Sequence, residues 1–498
     1  MFPRLFPCLI AFQACLSAGE KDKPNILWLF SDDHAYQAIG AYGGRFGDLN
    51  LTPNIDRMAD QGMRFDRAYV GNSICAPSRA TLLTGKHSHM HGKVDNYTEF
   101  DHDQPQFQKL LQQNGYQTAM VGKIHLDGRM QGFDYWEVLP GQGKYWNPVF
   151  VTEEGETTYE GEHSTDVITR KAINWLESER DKDKPFMAMV HFKAPHRNWE
   201  PTTRWKERFK DRIFPEPATL FDDYEGRGFA ARNQEMTILH HMSMRGDVKA
   251  HLSERQAELA LIDENDARAL TKLKYQWYMR DYLACIAGVD ESVGMLLDYL
   301  EKAGLAENTI VMYSSDQGFY LGERGWYDKR FMYEESYRTP FVMKWPGVTQ
   351  PGSINTDLVQ NIDSAPTFLD LAGVPIPDDM QGRSLVPLFK GETPDDWRKS
   401  LYYHYYEFPT YWHAVRRHEG VSTDRYKLIR FYGNDVPNGE EWEFYDLQAD
   451  PHEQTSAYGD RRYESEIAEL KTELLRLREQ YEVPDDVGGV PVRPLKDR

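Results

Sequence analysis

The central feature of the chain is the run Cys75-Ala76-Pro77-Ser78-Arg79, followed by Leu83-Thr84-Gly85. Pro77 suits the first turn of a helix and Gly85 its end. Cys75 is then expected at a helix N-terminus, where unpaired N–H groups and the helix dipole favour an anion. A turn with a capping cluster is the plainer reading of those five residues, and the Leu83-Thr84-Gly85 context weighs against it. Four other polar groups follow short apolar runs: Asp32 and Asp33 after 26–30, Lys123 and His125 after 118–121, His196 after 186–192, and Asp316 and Gln317 after 309–313. Taken singly, an Asp pair is a solvated turn and a Lys-x-His or Pro-His is nothing. Four together, each at a strand end, form a pattern, because ligands of open α/β sheets bind just beyond the carboxyl ends of the strands.

The elements that must position these residues are legible in outline. The apolar runs read as buried strands, and the stretches 165–176 and 275–300 between them as helices, the second carrying apolar Tyr282, Ile286, Val289, Val293 and Leu297. Alternating strands and helices imply an α/β fold, a large mostly parallel sheet covered by helices on both faces. Pro- and Asp-rich stretches at 374–379 and 391–396 mark a boundary. Beyond it, strand-like runs at 401–406, 426–432 and 443–445 and an amphipathic helix over about 463–481 predict a smaller α+β domain with an antiparallel sheet. The expected division is a leader at 1–19, a catalytic domain at 24–385, a C-terminal domain at 398–485 and a tail at 486–498. The segment 229–267 is charged and helical-looking, with no assigned role.

The 498 residues hold 78 Asp+Glu against 58 Lys+Arg, a formal charge of −20. That excludes a general nucleic-acid binder, which needs a basic face, and means that any anionic substrate meets a local basic pocket working against the overall field. No apolar run reaches the ~20 residues of a membrane span. Arg4, the apolar 5–16 and small Ser17-Ala18-Gly19 read as a secretory leader, so an exported, periplasmic or secreted protein is expected. Cys8 and Cys15 fall in that leader. Cys75 and Cys285 remain, too few for a disulfide framework, and Cys285 reads as a packed helix residue.

Cys-x-Pro-Ser-Arg with Leu-Thr-Gly resembles the signature of the formylglycine-dependent (type I) sulfatases of the alkaline-phosphatase superfamily. Further matches run along the chain: Asp32-Asp33, Gly122-Lys123-x-His125, Ala194-Pro195-His196, Asp316-x-Gly318, Asp328-Lys329, residues 380–385, and Tyr445-Asp446-Leu447 with Asp450-Pro451. The resemblance implies that a maturation enzyme oxidises Cys75 to an aldehyde, formylglycine. A thiol would be trapped as a stable adduct, whereas an aldehyde hydrate offers one hydroxyl to attack sulfur and a second whose deprotonation expels sulfate, giving two easier steps. Asp32, Asp33, Asp316 and Gln317, together with the converted Cys75, match the metal ligands. Oxygen donors favour a hard cation, Ca²⁺ before Mg²⁺, over zinc. Gln317 departs from the Asn or His usual in the family and reaches on a longer arm.

The same resemblance makes Arg79, Lys123 and Lys329 the cations that orient the hydrate and hold sulfate oxygens. His125 becomes the base that releases sulfate, and His196 the acid that protonates the leaving oxygen. The strings at 31–36, 318–323 and 416–418 look most like bacterial carbohydrate sulfatases grouped with N-acetylglucosamine-6-sulfatases. A sulfated glycan (glycosaminoglycan, mucin or algal) is therefore the expected substrate, with Arg338, His413, Arg417 and His418 as candidate contacts. Two other readings stand beside this: a phosphatase or phosphodiesterase of the superfamily, which the Cys nucleophile and oxygen ligands oppose, and a sulfated-glycan binder whose Cys75 stays unconverted. His87, His89 and His91 read as a polar loop lining a cleft rather than a metal site. Trp146, Trp199 and Trp205 could face a sugar, although most of the 12 Trp must be core.

Overall fold

The four apolar runs become four parallel strands: β1 (Asn25–Ser31), β2 (Gln117–Lys123), β3 (Phe186–His191) and β4 (Thr309–Ser315). They lie side by side in the order β4-β1-β3-β2, with Leu27 opposite both Ala188 and Val311. The computed structural model describes residues 23–410 and 413–485; the expected leader (1–19) and tail (486–498) lie outside them.

Successive side chains of each strand enter different cores. Leu27 and Leu29 pack with Tyr282, Ile286 and Val289, whereas Ile26, Trp28 and Phe30 pack with Leu83, Phe107 and Phe368. Burial on both faces is why these strands read as unbroken apolar runs. At about 1.5–3 kcal/mol per fully buried large side chain, these residues around β1 alone outweigh any local preference of the loops that follow. The sheet extends to ten strands, with Tyr135–Leu139 parallel to β2 and Phe341–Lys344 antiparallel to β4.

Helix α1 (Cys75–Thr84) is buried along its whole length and ends at Gly85, whose φ of 66° is the left-handed conformation that glycine tolerates. Helix α2 (Ser164–Asn174) matches the expected helix closely. Helix α3 (Ala267–Lys302) has 36 residues, and its N-terminal N–H groups of Arg268 and Ala269 are capped by Asp266. It starts earlier than its apolar pattern suggested, because the first two turns are only partly buried. Cys285 sits in its buried face, as expected. Most of 229–267 forms turns with two short helices, Phe229–Arg232 and Ser253–Leu259, anchored by buried Met236, Ile238, Met242 and Val248.

The C-terminal strands β5 (Leu401–Tyr405), β6 (His418–Ser422), β7 (Tyr426–Tyr432) and β8 (Glu440–Asp446) form an antiparallel sheet in chain order. Helix α4 (Glu464–Gln480) lays Leu470, Leu474 and Leu477 on Tyr402, Val421, Leu428 and Phe444. The opposite face, through Tyr403, Tyr405 and Phe431, packs on Phe331, Met332 and Tyr333 of the larger part. Strand β6 escaped the sequence reading because its Glu419 is polar; it is buried by pairing with Arg430 (3.1 Å) and Arg478 (2.5 Å). Among the described residues no helix is long and apolar enough to cross a membrane.

Candidate active site

Each parallel strand delivers its polar residues at its carboxyl end. Asp32 and Asp33 follow β1, Lys123 ends β2, His196 follows β3 through Ala194-Pro195, and Asp316 and Gln317 follow β4. Gly122 has φ 105°, and a β-carbon there would collide with the His191 carbonyl of β3, so Lys123 leaves a point of close strand approach. Asp33 (φ 66°) and His125 (φ 54°) are also left-handed, as are Asp328, Arg330 and His413 around the same cleft. Strained backbone held by well-packed surroundings is the sort that clusters at functional sites.

Ligand atoms of Asp32, Asp33, Cys75 and Asp316 all lie within 4.8 Å of one another. The turn is pinned by Asp33 N–H donating to Asp316 Oδ1 (2.9 Å) and by the Tyr282 hydroxyl of α3 donating to Asp33 O (2.7 Å). Ser78, from the motif on α1, donates to Asp316 O (2.5 Å) and is itself held by Asn361 (2.9 Å). Arg79, one turn along from Cys75, donates through Nε (3.2 Å) and Nη2 (3.1 Å) to Asp316 Oδ2 and through Nη1 to Lys123 O (2.6 Å). Lys123 pairs with Asp32 and donates to Gln142 Oε1 (2.5 Å). Lys329 pairs with Asp33 and stands 3.1 Å from Cys75 Sγ.

Three carboxylates and three cations are thus fully buried together, and their charges set the protonation. Burial raises Asp32, but Lys123, His196 and Arg79 outweigh it and hold the group well below the usual range. Burial also dominates at Asp33 and Asp316, pushing them up to about 6 and about 7, with the neighbouring Asp32 charge adding to the rise. Burial drives the Cys75 thiol well above its ordinary value despite Lys329. His196 and His125 are held well below theirs, by burial first and Lys123 next, and are neutral. Asp33 Oδ2, Gln317 Oε1 and His125 Nδ1 are buried without hydrogen-bond partners. The Gln317 amide nitrogen donates to Asp33 Oδ1 (2.5 Å) and Asp316 Oδ1 (2.8 Å), so its nitrogen, rather than the oxygen a cation needs, faces the carboxylates here.

Cys75, His196 and Lys329 open into a cleft of about 470 Å³, which His413 also lines, 3.4 Å from Asp328 Oδ2. The other candidate contacts lie elsewhere. Arg338 lays its guanidinium over Tyr36, 4.1 Å from the ring centroid, and does not line the cleft. Arg417 donates to Phe408 O (2.8 Å), also away from it. His418 is fully buried among Phe331, Tyr403 and Phe431, with Nε2 accepting from Met332 N–H (3.2 Å); it is a core residue packing the C-terminal sheet on the 331–333 loop. The 87–91 histidines do not line the cleft: His87 precedes a short helix (Ser88–His91), where buried His91 is bonded to Thr81 (3.0 Å) and half-buried His89 to Tyr481 O (2.7 Å). Trp199 is core, stacked near Tyr278.

The sulfatase family profile matches residues 24–374. The chain belongs to the sulfatase family. A second profile, the C-terminal region of N-sulphoglucosamine sulphohydrolase, matches residues 322–480. This sulfatase is 48% identical over 501 residues to the N-acetylglucosamine-6-O-sulfatase of Bacteroides thetaiotaomicron, covering 94% of this chain and 88% of that one. It is 28% identical over 429 residues to the human N-acetylglucosamine-6-sulfatase, covering 80% and 70%. Its fold matches, with a TM-score of 0.87 at 47% identity, a solved protein in complex with its substrate D-glucosamine-2-N,6-O-disulfate, covering 94% of this chain and 99% of that one.

Several residues lining the cleft of this sulfatase were not singled out from the sequence. Arg197, beside His196, is clamped by Asp247 (3.1 and 2.7 Å) and reaches Asp328 (3.4 Å). Glu407 accepts from Asn96 N–H (3.0 Å), and burial pushes it up to about 7. Asn96 also accepts from the Ala76 N–H at the head of α1 (3.1 Å). Their only sequence signal was nearness to a motif (Arg197) or to a strand end (Gln142).

Proposed function

We propose that this sulfatase is an exported carbohydrate sulfatase that removes sulfate from a sulfated glucosamine-type sugar. In this reading Cys75 is the residue converted to formylglycine, and Asp32, Asp33 and Asp316, with Gln317, hold a calcium ion. The convergence of three buried carboxylates with position 75 inside 4.8 Å carries the reading. The donor set is oxygen-rich, and one of its oxygens, Asp33 Oδ2, has no hydrogen-bond partner among the described residues, which suits a hard cation; Gln317 would have to turn its amide over to offer Oε1. Bound there, the cation and the formylglycine hydrate supply Lewis acidity and the attacking hydroxyl.

The chain's own groups do the rest. Lys123, tied to Asp32 beside position 75, and Lys329, tied to Asp33 and next to Cys75 itself, present ammonium groups suited to sulfate oxygens. Arg79 locks Asp316 and the end of β2 together, so that the acidic and basic halves stay in register. His196 lines the cleft, where an anion favours its protonated form and lets it give a proton to the leaving oxygen. His125, neutral with a free Nδ1, is suited to take a proton. A protonated Cys75 thiol would be inert in this position, so conversion is what the chemistry requires.

Mass spectrometry of the peptide containing Cys75, from a host that has the maturation enzyme, tests this together with desulfation of defined sugar sulfates. The aldehyde and sulfate release from 6-sulfated glucosamine are expected. Full activity with an intact thiol would overturn the nucleophile, and no release from any sugar sulfate would overturn the substrate class.

A further inference from the structure

Beside the cleft lies a second groove of about 320 Å³, and Gly246 lines both. The partition between them is the turn around Ser243 to Asp247. It is made rigid by Asp247 N–H donating to Ser243 O (3.0 Å), Ser243 N–H to Asp247 Oδ2 (2.8 Å) and Gly246 N–H to Ser243 Oγ (3.0 Å). The same Asp247 clamps Arg197 and Asn198, which line the cleft, so the groove and the cleft are held in fixed relation.

The groove is lined by Lys206, Arg245, Lys249 and Arg255 against Glu200 and Asp281, a local positive excess within a protein of charge −20. Lys249 (3.0 Å) and Arg255 (2.7 Å) neutralise Asp281 at its base. Above them stand the exposed Arg245 and His251, with Lys206 on the rim, 3.4 Å from Glu254. Half-buried Trp146 forms one wall, held edge-on by His163 with ring centroids 5.1 Å apart. Trp199 lies beneath the same groove, fully buried. An aromatic wall and the exposed Arg245 guanidinium, above a base where two cations share one carboxylate, suit a sugar ring that carries a carboxylate or sulfate.

We propose that this groove is a subsite for the anionic sugar residue next to the one being desulfated. This inference rests on the glycan reading above, and its test separates the two. Titration calorimetry with a uronate–glucosamine disaccharide lacking the 6-sulfate reports the groove without turnover. Arg245→Ala and Trp146→Ala are each expected to weaken that binding about tenfold, the loss of one charge-assisted contact or one ring face. In parallel, kcat/KM on the 6-sulfated monosaccharide should stay within about twofold of wild type, while that on the 6-sulfated disaccharide falls about tenfold. Equal affinities in wild type and both variants, or equal loss on the two substrates, would overturn the subsite. Failure of the wild type to desulfate the monosaccharide would overturn the glycan reading instead, whatever the titration shows.

Discussion

The Lys329 ammonium lies 3.1 Å from Cys75 Sγ while pairing with Asp33, so one charge bridges the proposed nucleophile position and a carboxylate of the proposed metal site. Both sit at the bottom of the cleft, and neither is solvated enough for water to replace that charge. Lys329→Gln should therefore lower kcat on an aryl sulfate about 10²–10³-fold, the usual cost of removing a donor aimed at developing charge. A steady-state rate near wild type in a folded variant would remove Lys329 from the machinery.

His196→Ala should separate substrates by leaving group. A sugar alkoxide needs its proton as the S–O bond breaks, whereas an aryl oxide leaves without one. The expected loss is about 10²–10⁴-fold on a sugar sulfate and far smaller on an aryl sulfate. Equal losses on the two would assign His196 to binding alone.

Chelation should destabilise as well as inactivate. Asp32, Asp33 and Asp316 are fully buried, and an ion bound only by the folded chain adds about 3–4 kcal/mol at 100 to 1,000 times its dissociation constant. Dialysis against a chelator should lower Tm, and added Ca²⁺ should restore it better than Mg²⁺. An unchanged Tm across that series would mean that no ion is held there.

Far from the site, Asp290 on α3 accepts from Asn54 N–H (3.0 Å) and Ile55 N–H (2.9 Å) at the head of helix Pro53–Gln61. Burial outweighs these bonds and pushes its carboxyl up from the ordinary 3.8 to about 6. The folded chain then holds this proton more tightly than the unfolded chain. Its contribution is complete below about pH 4 and is lost as pH rises through about 6. Relative to Asp290→Asn, the wild type should lose about 3 kcal/mol between about pH 4 and 7, read by urea denaturation at each pH. Parallel stability curves for the two proteins would show that Asp290 titrates normally.

The strands, the motif helix and the polar residues at the strand ends were legible because the forces that place them are local. A strand buried on both faces must be apolar at every position, so Ile26 to Phe30 announces β1 and places Asp32 and Asp33 at its end. Pro77 and Gly85 mark α1 from within the run itself. By contrast, His418 and His413 are five residues apart in sequence, one in the core and one in the cleft, and no local property of histidine separates them. Arg338 and Arg417 carry the charge a sulfate needs but spend it on tyrosine rings and a carbonyl.

What the amino-acid sequence determined alone was therefore the family and the residues to bring together: the Cys75 motif, an oxygen-donor set and three cations, each tied to an element by burial and capping. The tertiary structure decided which of them meet. Asp33 and Asp316 are 283 residues apart and become hydrogen-bonded neighbours only because β1 and β4 pair in parallel. Gln142, Asn96, Asp247 and Glu407 join them from loops whose positions are set by packing at a distance, since a cleft is a property of several loops at once and no single loop encodes it.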